Sequence, residues 1–506
     1  MNNIVVVGGG ASGWLTALYL KSVYQDKNIT VIESSDIGIL GAGEGATPHL
    51  ISLLDFLNIP VYELVLKCDA TIKNGIKFTN WNNDGKHFYH SFIPKDSVGF
   101  DIVKINDKVL PIYSSVLSAL YLEDSLESVD FGAKISNNNR VPFFKNKDEN
   151  YQVLSGYSIH FNAIKFAGML KEIAFSRGIN LVDGIVDDIA VDNNNNIKSL
   201  VLSNKKIVDV DFVFDNSGFH RVVIGKHFNA KWKSHSEYLP VDSAIPFFIP
   251  QDKEIPPYTE AIAMKYGWMW KIPLQSRYGC GYVYDSSLIS EKEAVKEIEE
   301  YLGFEPEYPR KEKGGFKFNA GYYETPWVNN CIAIGLASGF IEPLEATSIW
   351  VSIMSLERIL SSSETLESYN QKNIDDFNSY FKSINDQVVD FIYFHYMSKR
   401  SDTDFWKKFK YDNAPENLKS LLNTWEYRLP RFDDFFGKIW ILFNWISVAA
   451  GIKKINKEKV LEAQKKSIGQ HYGFLQYEES VRRQNDMANA CINHKEFIGK
   501  INASKN

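Results

Sequence analysis

The strand-like run Asn3-Ile4-Val5-Val6-Val7, followed at once by Gly8-Gly9-Gly10-Ala11-Ser12-Gly13, leaves this chain little freedom of fold. The glycines stand in G-x-G-x-x-G spacing, and a helical pattern opens behind them from Trp14 to Leu20. In such a unit Gly8 permits the tight turn, Gly10 lets a pyrophosphate approach the backbone, and Gly13 lets the helix pack closely on the strand. The helix start at Ala11 and Ser12 offers N–H groups that have no partner within the helix to phosphate oxygens. A second strand, Ile29-Thr30-Val31-Ile32, ends in Glu33, at the offset where an acid meets the ribose of an adenosine half. The fold class is therefore α/β and Rossmann-like. The fingerprint alone leaves NAD and FAD both open.

Composition narrows the function classes. With 506 residues, 44% of them hydrophobic and 23% charged, the chain has the make-up of an ordinary globular protein with large cores. A net charge of -6, without a basic stripe, indicates neither nucleic acid nor an anionic membrane as partner and leaves small-molecule chemistry. Cys68, Cys280, Cys331 and Cys491 lie far apart with no C-x-x-C pair, so buried structural thiols are expected rather than a disulfide framework or a zinc site. The first strand begins at Asn3, and the longest apolar stretch, Ile439 to Ile452, is short for a membrane span and interrupted by Asn444. A cytoplasmic protein is expected.

A second pattern is rarer. In Trp268-Met269-Trp270-Lys271-Ile272-Pro273 the two indoles share one side of an extended segment and Pro273 ends it. This W-x-W-x-I-P run resembles the signature of the flavin-dependent halogenases of the tryptophan-halogenase type. Other segments follow the same family in chain order. Asp211 to Gly218 resembles its second flavin strand and turn, with Asp215 and Gly218 in D-x-S-G positions. Asn330 to Phe340, with Gly335, resembles its third, and Gly41 to Pro48, with Ala46 and Thr47, resembles the strap laid across the flavin. The resemblance implies FAD, used as FADH₂. It further implies a flavoprotein-monooxygenase-type domain with inserted β-rich segments and a mostly helical C-terminal region. The organisation expected is a discontinuous FAD-binding and catalytic domain over 1–360, with flavin elements near 1–50, 155–225 and 320–360, and a helical domain over 361–506 completing the substrate site. His160 to Arg177 reads as a helix with Gly178 at its C-terminal end.

Catalytic residues follow from the same resemblance. Cys68 to Trp81 matches the segment that holds the family's lysine, and Lys77 is taken as that residue; Lys73, four residues earlier, is set aside. Glu345 stands in Pro343-Leu344-Glu345-Ala346-Thr347-Ser348, with Ala346 where the family usually has serine, and Thr347 and Ser348 are the candidate halide residues. Reduced flavin and O₂ supply an oxidant that a halide captures as hypohalous acid. Lys77 would donate a hydrogen bond to it or form a haloamine, and Glu345 would polarise it and accept the ring proton. Trp268 and Trp270 would keep organic substrates off the flavin. His90 and Phe92, within Phe88 to Phe92, and Trp440 resemble the family's indole sandwich. The paired tyrosines and glutamate that grip the backbone of free tryptophan are not found, which favours a smaller indole, a phenol or an open site. The resemblance also implies a separate NAD(P)H-dependent flavin reductase and allows a homo-oligomer. An aromatic hydroxylase and a non-catalytic flavin binder are the alternatives; neither requires the lysine, the glutamate and the tryptophan pair together. Halide (chloride, bromide or iodide) is not read from the sequence.

Overall fold

A computed structural model describes the chain except residues 36, 38–42, 93–103, 106–107, 110–113, 147–150, 310–312, 362–365, 468–469 and 505–506. The chain forms two compact units, each assembled from three stretches: Met1–Ala70, Phe161–Pro240 and Phe318–Val388 in one, Thr71–His160, Val241–Lys317 and Val389–Asn506 in the other. A boundary near 360 was expected; the chain instead changes unit five times, once inside the helix Gln371–Tyr396.

The first unit is built on a six-stranded sheet in the order Asn180–Asp183, Asn28–Glu33, Asn3–Val7, Phe212–Asp215, Cys331–Ala333, Trp327–Val328. All neighbours run parallel except the last pair. Its central strands are buried on both faces, as their unbroken apolar runs require. Register places Asp215 beside Val7 and Ala333 beside Asp215, so the turns at Gly8, Asn216–Gly218 and Gly335 leave one edge of the sheet together. That edge is where parallel sheets bind ligands. Helix Ala11–Val23 packs on helices Ala163–Ser176 and Thr347–Leu360. The helix expected from His160 starts at Ala163 instead: Asn162 ends a strand and its side chain caps the Ile164 and Lys165 N–H groups. Gly178 closes it at φ 75°.

The second unit centres on a seven-stranded mixed sheet in the order Phe316–Lys317, Ser243–Pro250, Arg277–Tyr284, Gly267–Pro273, Thr259–Ala263, Gly75–Thr79, His87–Ser91. One face carries Phe247, Met269, Cys280 and Tyr282 and packs on helix Glu291–Leu302 through Ala294 and Ile298. Strand alternation then turns Trp268 and Trp270 to the opposite face. Beyond Val389 the unit is helical, ending in His494–Ala503. All four cysteines are free and buried, and burial pushes Cys68 and Cys491 up to about 12, which makes them inert thiols. Among the described residues no single helix is long and apolar enough to cross a membrane.

Candidate functional site

In the first unit the glycine fingerprint does what its spacing requires. Gly8 has φ 123°, and a Cβ there would stand 2.2 Å from the Asn216 carbonyl oxygen; one on Gly13 would stand 1.9 Å from the oxygen of Gly8. Around Gly10 a Cβ would meet nothing within 4 Å, and this residue is the N-cap of helix Ala11–Val23 with no side-chain cap. That bare helix start fits a pyrophosphate. The Gly10→Ala variant is therefore expected to fold with a loss of about 1 kcal/mol or less, while FAD affinity, read by flavin fluorescence, falls about tenfold or more. Unchanged affinity would contradict the assignment.

Glu33 is held by two donors, Lys171 Nζ at 2.7 Å and Trp14 Nε1 at 3.2 Å, which present its carboxylate at the end of its strand. Ser12 directs its hydroxyl inward, accepting from Asn216 Nδ2 at 2.9 Å, so only its backbone faces the glycine turn. Gly218, at φ 63°, and Gly335, at φ 69°, adopt left-handed turns. Asp215 is a correction to the expected cofactor contacts. It is fully buried, and its carboxylate accepts from Ser217 N and Oγ and from the N–H groups of Val223 and Ile224, so it shapes the turn instead of touching a ligand. Ala46 is likewise fully buried, while Thr47 is the N-cap of helix Pro48–Phe56. Gly41 and Ala42 of the expected strap lie outside the described residues.

Glu345 and Ala346 are both left-handed, at φ 66° and 53°, directly before helix Thr347–Leu360. Neither is glycine, so this junction stores backbone strain of the kind found at functional sites. The left-handed Ala346 followed by right-handed Thr347 turns successive N–H groups into one concavity suited to an anion. A small, partly open cavity of about 20 Å³ joins this helix start to the third flavin turn, lined by Gly335, Ser338, Glu342, Thr347, Ser348 and Ser352 among others.

In the second unit Trp268 and Trp270 lie 6.3 Å apart at 62°, both buried. Trp270 stands between Ala261 and Gly281 in the ladder, and a Cβ on Gly281 would come within 2.0 Å of its ring. Only glycine leaves room for that indole.

The two lysines of this segment have different surroundings. Lys77 pairs across the sheet with Tyr89, whereas His90 pairs with Ile76, so Lys77 and His90 project from opposite faces. Lys77 Nζ lies 3.9 Å from Glu260 and 5.3 Å from the Tyr258 ring, with 19% of its side chain exposed. Lys73 is 1% exposed, and its ammonium stands 5.6 Å from the ring of Phe92. A lysine so deeply buried is costly to desolvate.

His90 is buried and accepts from Asn444 Nδ2 at 2.9 Å through Nε2. Trp440 is 6.4 Å from His90, but one of its faces is stacked on Phe391 at 4.2 Å. Phe391 and His395 complete this aromatic cluster, with His395 donating from Nδ1 to the Phe391 carbonyl at 2.7 Å. Phe391 and His395 were not singled out from the sequence; their i, i+4 spacing was the available signal.

Two further buried histidines bracket Lys73. His160 contacts Thr71 and Thr259, and His494 contacts Ile72. Burial holds His160 well below its ordinary value and His494 at about 4, and in the first unit it holds His235 at about 4. These folded values lie below the unfolded one of 6.5, so stability is full above that pH and is lost as pH falls toward 4. Between pH 7 and pH 5 the expected loss is about 2 kcal/mol each for His235 and His494, with His160 adding in the same direction. Glu44 and Asp130, which burial raises to about 7 and about 6, act in the opposite direction over the same range, so the test is the pH dependence of the urea midpoint in His494→Gln against the native chain; an unchanged dependence would contradict a neutral His494.

The tryptophan halogenase family model matches residues 3–466. Tryptophan 6-halogenase SttH of Streptomyces toxytricini is 31% identical over 86% of each chain, and tryptophan 7-halogenase RebH of Lentzea aerocolonigenes is 31% identical over 89% of each. Among solved structures, SttH superposes with a TM-score of 0.87 at 27% identity, covering 99% of this chain and 100% of its own. BrvH, a flavin-dependent halogenase from Brevundimonas sp. BAL3, gives 0.86 at 26% identity over 99% of each chain. With a Rossmann dinucleotide unit and a match across nearly the whole sequence, the chain belongs to the tryptophan halogenase family and is a flavin-dependent halogenase.

Proposed function

We propose that the chain is an FADH₂-dependent halogenase that places chlorine, bromine or iodine on an electron-rich ring of indole or phenol type, supplied with reduced flavin by a separate NAD(P)H-dependent reductase. The observation that carries this reading is the cavity joining the cofactor turn at Gly335 to the strained helix start at Thr347 and Ser348. Bound FADH₂ would supply, from O₂, the oxidising equivalent that converts halide to hypohalous acid.

The chain's own residues do the rest. Backbone N–H groups of Gly10, Ala11 and Ser12 receive the pyrophosphate, and Glu33 the ribose. The N–H groups at Thr347 and Ser348 hold the halide. Lys73, in place of Lys77, donates a hydrogen bond to hypohalous acid and so draws electron density from the halogen. Attack by the ring carbon on that halogen releases hydroxide, which leaves as water once protonated. Glu345 accepts the proton that the substituted carbon then loses. His90, Phe92 and Trp440 face the ring, and Trp268 and Trp270 bar organic molecules from the flavin. SttH and RebH are tryptophan halogenases, but the backbone-gripping residues were not found in this sequence, which supports a smaller indole or a phenol.

Mass spectrometry tests the reading on mixtures of protein, FAD, NADH, a flavin reductase and O₂, with indole and phenol panels offered each halide. Halogenated products that require the protein are expected. Hydroxylated products in their place would establish the hydroxylase alternative.

A further inference from the structure

Lys73 is the last residue of a three-residue strand, Thr71–Lys73, whose neighbours are tied down on every side. On one side the strand pairs antiparallel with Ser158–Asn162, setting Lys73 opposite Ser158 and Thr71 opposite His160. The N–H of Ile72 is not spent on that ladder. It donates to His494 Nε2 at 2.9 Å, from the first turn of the C-terminal helix. His494 Nδ1 in turn lies 2.9 Å from the Ile255 carbonyl, which can only accept, so Nδ1 carries the proton and Nε2 is bare. His494 is not adjustable: its own N–H donates to Asn139 O at 2.8 Å, and the preceding Asn493 bridges to Arg140.

His160 is locked the same way. Thr71 Oγ1 donates to the Pro273 carbonyl at 2.7 Å, so it accepts from His160 Nδ1 at 3.0 Å, and His160 Nε2 then accepts from Thr259 Oγ1 at 3.0 Å. The imidazole thus joins the strand of Lys73 to strand Thr259–Ala263, and the Thr71 hydroxyl joins it to the end of the W-x-W-x-I-P strand. On the far side of Lys73, Asn74 donates its N–H to Pro257 O at 2.7 Å and accepts from Phe92 N at 2.9 Å. Residues 71, 72 and 74 are therefore each pinned by a separate segment on either side of the buried Lys73. Both imidazoles are neutral acceptors or donors of fixed tautomer, so they locate the strand without placing a second charge beside a buried ammonium.

We propose that His494, together with His160, is a positioning residue that sets where the Lys73 amine stands, so that the C-terminal helix takes part in the halogenation site; this rests on the reading of Lys73 as the reactive lysine. A side chain delivered from 422 residues away in sequence, onto a strand N–H that water or another strand could have satisfied, fixes the strand along its own axis. Displacing Ile72 displaces Lys73 with it.

Competitive acetylation of the cofactor-free protein, read lysine by lysine in mass spectra, tests this without flavin or substrate. In His494→Leu, labelling of Lys73 is expected to rise about tenfold while Lys77 keeps its native rate. His494→Gln, whose amide can accept from Ile72 and donate to Ile255, should return Lys73 to near its native rate. Thr259→Val, which removes the partner of His160 Nε2, provides a second route to the same change should the leucine variant fold poorly. Unchanged labelling of Lys73, or a rise shared by all buried lysines, would overturn the proposal, the latter because it marks general loosening. Halogenation by Lys73→Met is the separate control: full activity there removes the catalytic reading of the lysine, and with it the purpose of the clamp, whatever the labelling shows.

Discussion

Replacing Lys73 with methionine is expected to lower the yield of halogenated aromatic by a factor of about 10² or more, while FAD binding and reductase-driven oxygen consumption stay at native levels. Methionine keeps the length and apolar stem of the side chain, so the buried strand loses a charge and not its packing. The companion variant Lys77→Met should stay within about threefold of native, because its ion pair with Glu260, at 3.9 Å and partly in solvent, is worth at most about 1 kcal/mol. The two variants, compared in one assay, separate the neighbours cleanly. A dead Lys77→Met beside an active Lys73→Met would restore the assignment made from sequence and refute the one made from burial.

The second large effect is expected at Glu345. Glutamine there keeps the shape and the left-handed backbone but cannot take a proton, so turnover should fall by about 10². Loss of the base should also change which step is slow. With deuterium on the carbon that is halogenated, native enzyme is expected to show little isotope effect and Glu345→Gln a clear primary one, because proton removal becomes limiting. A variant with native turnover, or a slow variant with no isotope effect, would take Glu345 out of the proton-transfer step.

The comparison of Lys73 with Lys77 also shows where sequence stops being legible. Residues 73, 75 and 77 share parity, so period-2 alternation alone puts both lysines on one face. What separates them is Asn74, whose N–H and carbonyl are both claimed by other segments, ending one strand and starting the next. That break depends on partners at 257 and 92, which no local pattern contains. The glycine turn is the opposite case. Gly8 and Gly13 are demanded by backbone conformation and close backbone approach within one short segment, and both do in the fold what their spacing indicates. The alternation that set Trp268 and Trp270 together was equally local, although the glycine that makes room for Trp270 sits on the next strand. Asp215 was read as a ligand because motif position does not reveal that the helical turn at Val223 and Ile224 consumes its carboxylate. The division of the chain was out of reach for a similar reason. Each unit gathers three distant stretches, and composition does not change where the chain passes between them.

The paired left-handed residues before helix Thr347–Leu360 bear on how this sequence can change over time. Ala346 holds a conformation that glycine would occupy with about 1 kcal/mol less strain. Selection for heat resistance alone would therefore favour glycine at this position, and the relief would come with a looser Glu345 and a softer anion cradle. Robustness and turnover pull this junction in opposite directions, so an improver of the enzyme does better to seek stability far from the loop and leave its tension in place.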